Sequence, residues 1–162
     1  MRDRPLVYLA GPLGFTEPGR RFHDEVVVPA VRAAGFDVAD PWTGGGDIET
    51  ALGIVDHDER RRALVRANRA AGAANASMID RADGVLAVLD GSDVDSGTAA
   101  EIGYAAALEV PVVGWRSDLR DSGDNEATVV NLQVEHFIER SGGVIESSLD
   151  GAIAALSAAV AG

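Results

Sequence analysis

The stretch "GVLAVLDGSDVDSGTAAEIGYAAALEVPVVGW", residues 84–115, decides the fold. Its first seven residues (84–90) form a continuous apolar run closed by an aspartate, the pattern of a strand buried on both faces. A polar loop follows, then a helical stretch of small residues over about 97–108, then a second apolar run, "VPVVGW" (110–115). Strand, helix and strand in that order make a βαβ unit with parallel strands.

The same alternation extends in both directions. "PLVYLAG" (5–11) reads as a strand ending in Gly-Pro. "PGRRFHDEVVVPAVRAAG" (18–35) carries Phe22, Val26, Val27, Ala30 and Val31 at helical spacing and is closed by Gly35. "FDVAD" (36–40) is a short strand, "PWTGGGDIETALG" (41–53) a turn-rich, mobile loop, and a long polar-and-alanine helix covers about 56–81. "NEATVVNLQVEHFIER" (125–140) reads as an amphipathic helix, "GGVIES" (142–147) as a last strand and 149–161 as a closing helix. Without a repeat, linker or low-complexity block, these elements predict one domain over 1–162. Its architecture is a doubly wound, five-stranded parallel α/β sheet with helices on both faces. Ligands of such sheets bind beyond the carboxyl ends of the strands. Three segments qualify: "AGPLGF" (10–15), "DGSDVDSGTAAE" (90–101) and the loop beginning at Asp40.

Composition narrows the partners. The chain has 162 residues, is 46% hydrophobic and only 5% aromatic, so its core is aliphatic. It has no cysteine, hence no disulfide, thiolate metal site or cysteine nucleophile. His23, His57 and His136 are far apart in sequence and form no ligand pair, which speaks against a metal site. A net charge of −12 argues against a nucleic-acid partner. No apolar run is long enough for a membrane span and no signal-peptide core is present, so a soluble, cytoplasmic protein is expected. All 14 basic residues are arginine; with the acidic balance this fits either a halophile-like surface or codon bias.

Each loop has a plain reading and a chemical one. "AGPLGF" is neither a GxGxxG fingerprint nor a Walker A loop. It is either a tight turn set by Pro12 or a place where Gly11 and Gly14 let a ligand approach the backbone. Thr98-Ala-Ala-Glu101 has the form of a capping box, in which Glu101 folds back on its own helix. Against that stand Asp90, Asp93, Asp95 and Glu101 gathered at a strand end, with Gly97, Ala99, Ala100 and Gly103 clearing space. Near a helix start the macrodipole keeps a carboxylate ionised, which suits a nucleophile.

With "VYLAGPLGF" (7–15), "NASMIDRADGVLAVLDGSDVDSGTAAEIGYA" (75–105) and "VVNLQ" (129–133) in order, the chain resembles the nucleoside 2-deoxyribosyltransferase family. The D-S-G-T-A-x-E-I-G-Y-A stretch is the most specific part. The resemblance implies a flavodoxin-like (Rossmann-like) fold and a role in nucleotide salvage. It also implies exchange of the base of a 2′-deoxynucleoside, with retention, through a covalent deoxyribosyl-glutamate. By position, Glu101 matches the nucleophile and Asp95 the aspartate that holds the sugar 5′-hydroxyl and orients the glutamate. Tyr8 matches a tyrosine near the nucleophile. Asn131 matches an asparagine that completes a neighbouring subunit's site, which implies a homo-oligomer. Gly11, Phe15, Asp40, Asn75, Asp90 and Gly97 complete the expected nucleoside and nucleobase contacts. No cofactor is implied.

Asn75 stands where many members carry an aspartate. An amide is no proton donor of the carboxylic kind, so protonation of the leaving base falls to Asp40, Asp80 or water; the plain reading of Asn75 is a solvated helix face. The related deoxynucleoside 5′-phosphate N-hydrolases carry a small hydroxyl residue where this chain has Asp95, whose charge repels a phosphate and so favours nucleosides. Two rivals stand beside the transferase: an N-glycoside hydrolase of nucleosides or their 5′-monophosphates, and a silent nucleotide- or flavin-binding module. Finally, Val129, Val130, Leu132, Val134 and Phe137 offer more apolar surface than one core stripe needs. They fit either ordinary packing or a subunit interface.

Overall fold

Strands of period two and helices of period 3.6 can share one core only in layers, and the chain builds three. The computed structural model describes residues 3–44 and 46–162; Met1, Arg2 and Gly45, which fall in the N-terminal run and the 41–53 segment, lie outside the described residues. The strands are β1 (Leu6–Ala10), β2 (Asp37–Ala39), β3 (Gly84–Val88), β4 (Val112–Trp115) and β5 (Ile145–Glu146). They form one all-parallel sheet in the order β2-β1-β3-β4-β5. Successive side chains face opposite layers. Tyr8, Val85, Ala87 and Leu89 enter one core, and Val7, Leu9, Leu86 and Val88 the other.

The first core is covered by α4 (His57–Ile79), α5 (Ser96–Ala107) and α6 (Leu132–Arg140) through Ile79, Ile102, Val134 and Ile138. The second is covered by the helical segment Glu17–Ala33 and by α7 (Leu149–Ala161) through Val27, Val31, Ile153 and Leu156. The doubly wound five-stranded expectation holds. Strand order 2-1-3-4-5 reverses direction between β1 and β3, and that switch point is where such a sheet opens a crevice.

Four boundaries differ from the sequence reading. The 18–35 helix is α1 (Glu17–Phe22) and α2 (Val28–Ala33) joined by a π-helical stretch, His23–Val27, in which the Val28 N–H reaches the His23 carbonyl. Pro29 has no N–H and its ring crowds the carbonyl four residues back, and the wider π turn accommodates both. Phe22 and Val26 are consequently 39% and 40% exposed, while Val27 and Val31 are buried.

The 41–53 segment is not a loop but a 3-10 turn, Pro41–Gly44, followed by α3 (Gly46–Leu52). Asp47 and Glu49 favour its first turn, and Ala51 is buried beneath it, outweighing the glycines. Helix 125–140 begins only at Leu132. Asn131, extended and accepting from the Gln133 N–H at 3.0 Å, is its N-cap. Upstream, Asn125 closes a turn by accepting from the Ala127 N–H, and Asp124 accepts from Leu132 N–H. The last strand shrinks to Ile145–Glu146.

Candidate active site

The crevice at the β1/β3 switch point is a cavity of about 430 Å³. Its floor is the turn after β1 and the first turns of α5, with Gly11, Asp95, Gly97, Thr98 and Glu101. One wall is the face of α4 carrying Ala67, Ala70, Ala71, Ala74, Asn75 and Met78. The opposite wall is Phe15, Pro41, Trp42, Gly44, Asp47 and Ile48.

Glu101 is the sixth residue of α5 and reaches into the cavity from its second turn. The capping box is absent: Asp95 is the N-cap and its Oδ2 accepts from the Thr98 N–H at 3.0 Å and the Thr98 hydroxyl at 3.3 Å. Glu101 is therefore free of a local role. Tyr8 Oη donates to Glu101 Oε1 at 2.6 Å, and Asn75 Nδ2 donates to the same oxygen at 3.4 Å. Among the described residues both hydrogen bonds fall on Oε1, and Glu101 itself lines the cavity.

The ionisation of Glu101 departs from the macrodipole expectation. Burial pushes its carboxyl above the usual glutamate range and the charge of Asp95 adds to this, while the hydrogen bonds from Tyr8 and Asn75 oppose it. The dipole is felt within the first turn, and Glu101 lies beyond it. Burial, its hydrogen bond to Glu101 and the nearby carboxylates raise the Tyr8 phenol far above its ordinary value. It is a neutral donor at any working pH.

The fold brings Tyr8, Gly11, Phe15, Asn75, Asp95, Gly97 and Glu101 to one crevice, from the β1 end, α4 and α5. Asn75 is thus no solvated-face residue. Asp90, Asp40, Asp80 and Asn131 stand elsewhere. Asp90 accepts from the Ser117 N–H and hydroxyl and the Asp118 N–H at 2.6–2.9 Å, tying the end of β3 to the loop after β4. Asp80 accepts from the Tyr104 hydroxyl, and lines with Asp40 a neighbouring groove. Asn131 caps α6 outside this chain's cavity.

Asp40 acts on the cavity indirectly. Its Oδ2 lies 3.0 Å from Nε2 of the buried His23, and its Oδ1 accepts from the Trp42 N–H at 2.9 Å. Burial works against its charge, but the bonds from His23 and Trp42 and the nearby Arg32 leave its carboxyl below the ordinary range. It is a poor proton donor. Gly14 does not admit a ligand: a Cβ there would lie 2.0 Å from the Trp42 ring. Trp42 fills that space and meets Phe15 edge-on at 4.7 Å, forming an aromatic wall.

Trp42, Asp47, Ile48 and the alanine face of α4 escaped the sequence reading. Glycines masked the first three, and alanines at 67, 70, 71 and 74 carry no chemical signal beyond their helical spacing. Among the described residues, the cavity lining contains no arginine or histidine, and Arg21 is engaged with Glu25 on an exposed helix face.

A sequence profile described as nucleoside 2-deoxyribosyltransferase matches residues 7–133. An uncharacterized protein of Schizosaccharomyces pombe is 31% identical over 127 residues, covering 72% of this chain and 52% of that protein. The chain thus spans about half the length of this curated relative. Among solved structures, a conserved protein from Enterococcus faecalis V583 matches with TM-score 0.72 at 23% identity, covering 96% of this chain and 98% of that one. A 2-desoxiribosyltransferase from Leishmania mexicana matches with TM-score 0.59 at 21% identity, covering 93% and 95%. A Clostridium botulinum CMP N-glycosidase matches with TM-score 0.54 at 15% identity, covering 94% and 98%. At these identities the structural likenesses establish a shared fold.

Proposed function

Because the chain belongs to the nucleoside 2-deoxyribosyltransferase family, we propose that it exchanges the base of a 2′-deoxynucleoside through a deoxyribosyl ester of Glu101. The observation that carries this reading is the Glu101 carboxylate, held at Oε1 by Tyr8 and Asn75 on the floor of the cavity. Oε2 attacks C1′ as the glycosidic C–N bond breaks and its electron pair leaves with the base. The oxocarbenium-like charge at C1′ is met by the carboxylate beneath it. The departing base takes up a proton from water or from Asp47 on the cavity wall, since Asp40 and Asp80 face elsewhere. A nitrogen of the incoming base then attacks C1′ from the opposite face, releases Glu101 and gives up its proton. Two inversions make net retention.

Asp95 caps α5 with Oδ2, and its Oδ1 accepts the sugar 5′-hydroxyl in this reading. The carboxylates of the cavity and its lack of a described basic residue favour a nucleoside over a 5′-monophosphate. Val129 and Leu132, 49% and 52% exposed, lie on either side of Asn131 in the chain and supply apolar surface for a second subunit whose site Asn131 completes.

Incubation with deoxyinosine, with and without adenine and at low and high salt, tests the reading. Deoxyadenosine in the presence of adenine marks a transferase. Free deoxyribose alone marks a hydrolase that uses the same glutamate, and unchanged deoxyinosine marks a binding module.

A further inference from the structure

The cavity extends along α4 beyond the Glu101 carboxyl. Glu101 and Asn75 fix its sugar end, 3.4 Å apart. From Asn75 the α4 wall continues through Ala74, Ala71 and Ala70 to Ala67. The eight steps from Asn75 to Ala67 span about 12 Å along the helix at 1.5 Å each. Beyond Asn75 the α4 residues that line the cavity are all alanines, and the opposite wall offers Trp42 and Ile48 beside Asp47. A volume of about 430 Å³ lies in the range of pockets that enclose multi-ring ligands. A polar base edge would meet no described side-chain hydrogen-bonding group on the distal α4 wall; an apolar group would meet a complementary surface.

Resting on the reading above, we infer that the cavity takes purine deoxynucleosides whose base carries an apolar substituent on the edge turned away from the sugar. Ala67, Ala70 and Ala71 form the pocket for that substituent. The purine ring lies between the aromatic wall and Ala74, and the substituent extends along α4. Each buried methylene is worth roughly a three- to fourfold gain in affinity, so burial of a benzyl group offsets loss at the base edge.

The test compares N6-benzyl-2′-deoxyadenosine with 2′-deoxyadenosine as donors, hypoxanthine being the acceptor. The expected kcat/KM of the benzylated donor equals or exceeds that of the parent. In Ala71→Leu, which places a good helix former on a half-exposed turn, the benzyl-to-parent ratio falls about tenfold or more. A benzylated donor below about one hundredth of the parent, or a ratio unmoved by Ala71→Leu, overturns the inference while leaving the transferase reading intact. Quenching of tryptophan fluorescence by free 6-benzylaminopurine and by adenine supplies a readout without turnover. If neither donor reacts, tighter binding of the benzylated base that weakens in Ala71→Leu sustains the pocket and overturns only the activity. Equal or absent binding overturns both.

Discussion

The Tyr8 hydroxyl on β1 lies 2.6 Å from Glu101 Oε1 on α5, joining side chains 93 positions apart in the chain. β1 and β3 are parallel neighbours, with Tyr8 beside Val85. The helix that follows β3 therefore starts above the end of β1, and the hydroxyl meets the carboxylate across the switch point.

Tyr8→Phe removes a hydrogen bond to a charged group, worth about 1.5–3 kcal/mol. We expect kcat/KM for base exchange to fall about 10- to 100-fold. That bond also favours the ionised carboxylate, so the acid limb of the pH–rate profile should move to higher pH in the variant. A profile shifted the other way contradicts the assignment of Oε1 as acceptor.

Glu101→Gln and Glu101→Ala should retain the fold and lose base exchange by at least about a thousandfold, as judged by circular dichroism and product chromatography. Their stability carries a further sign. The Glu101 carboxyl is raised by burial, so protonation favours the folded state. The stability tied to its neutral form is present at low pH and is lost as pH rises through the folded value. Glu101→Gln should therefore melt above wild type at pH 7, by about 2–4 °C for each kcal/mol recovered, and the difference should close in acid.

His23→Ala tests the link between a buried pair and the cavity wall. His23 is 3% exposed, and its loss strips the partly buried Asp40 of one partner. A cost of about 1–3 kcal/mol is expected in urea unfolding. Because the Asp40 carboxyl is depressed in the fold, its stabilisation is present above the ordinary carboxylate range and lost as pH falls through the folded value. That acid-dependent loss should shrink in the variant. Since Asp40 also holds the Trp42 N–H, KM should rise more than kcat falls.

Gly14→Ala drives a methyl group into the Trp42 ring, 2.0 Å from its nearest atom. The aromatic wall must shift, at about 1–3 kcal/mol of overpacking. The expected result is a changed tryptophan emission and weaker substrate binding. Rescue by Trp42→Leu in the double variant, read as a coupling in a mutant cycle, would locate the clash.

Much of this protein is legible one residue after another. The run 84–90 and its neighbours at 5–11 and 110–115 specify parallel strands because apolar residues on both faces admit no other placement. A helix of small residues follows such a strand after one polar loop, which puts Glu101 near the end of the sheet where crevices form; that Asp95 rather than Thr98 caps it was decided by the fold. Other features were hidden because their cause is distant. The glycines around Trp42 read as a loop, yet α3 forms because Ala51 is buried against the rest of the fold. Asp90 looked like a site residue by its proximity to Glu101 in sequence. The loop after β4 claims it instead, with three hydrogen bonds.

The sequence by itself determined the layered parallel sheet and a carboxylate-bearing segment at one strand end, because periodicity and strand-end chemistry are local properties of the chain; the strand order that makes the switch point came with the fold. Only the tertiary structure decided which oxygen Tyr8 and Asn75 hold, which aspartates face away, and how far the alanine wall runs. Those depend on distances between segments tens of residues apart, which packing sets and no local pattern encodes.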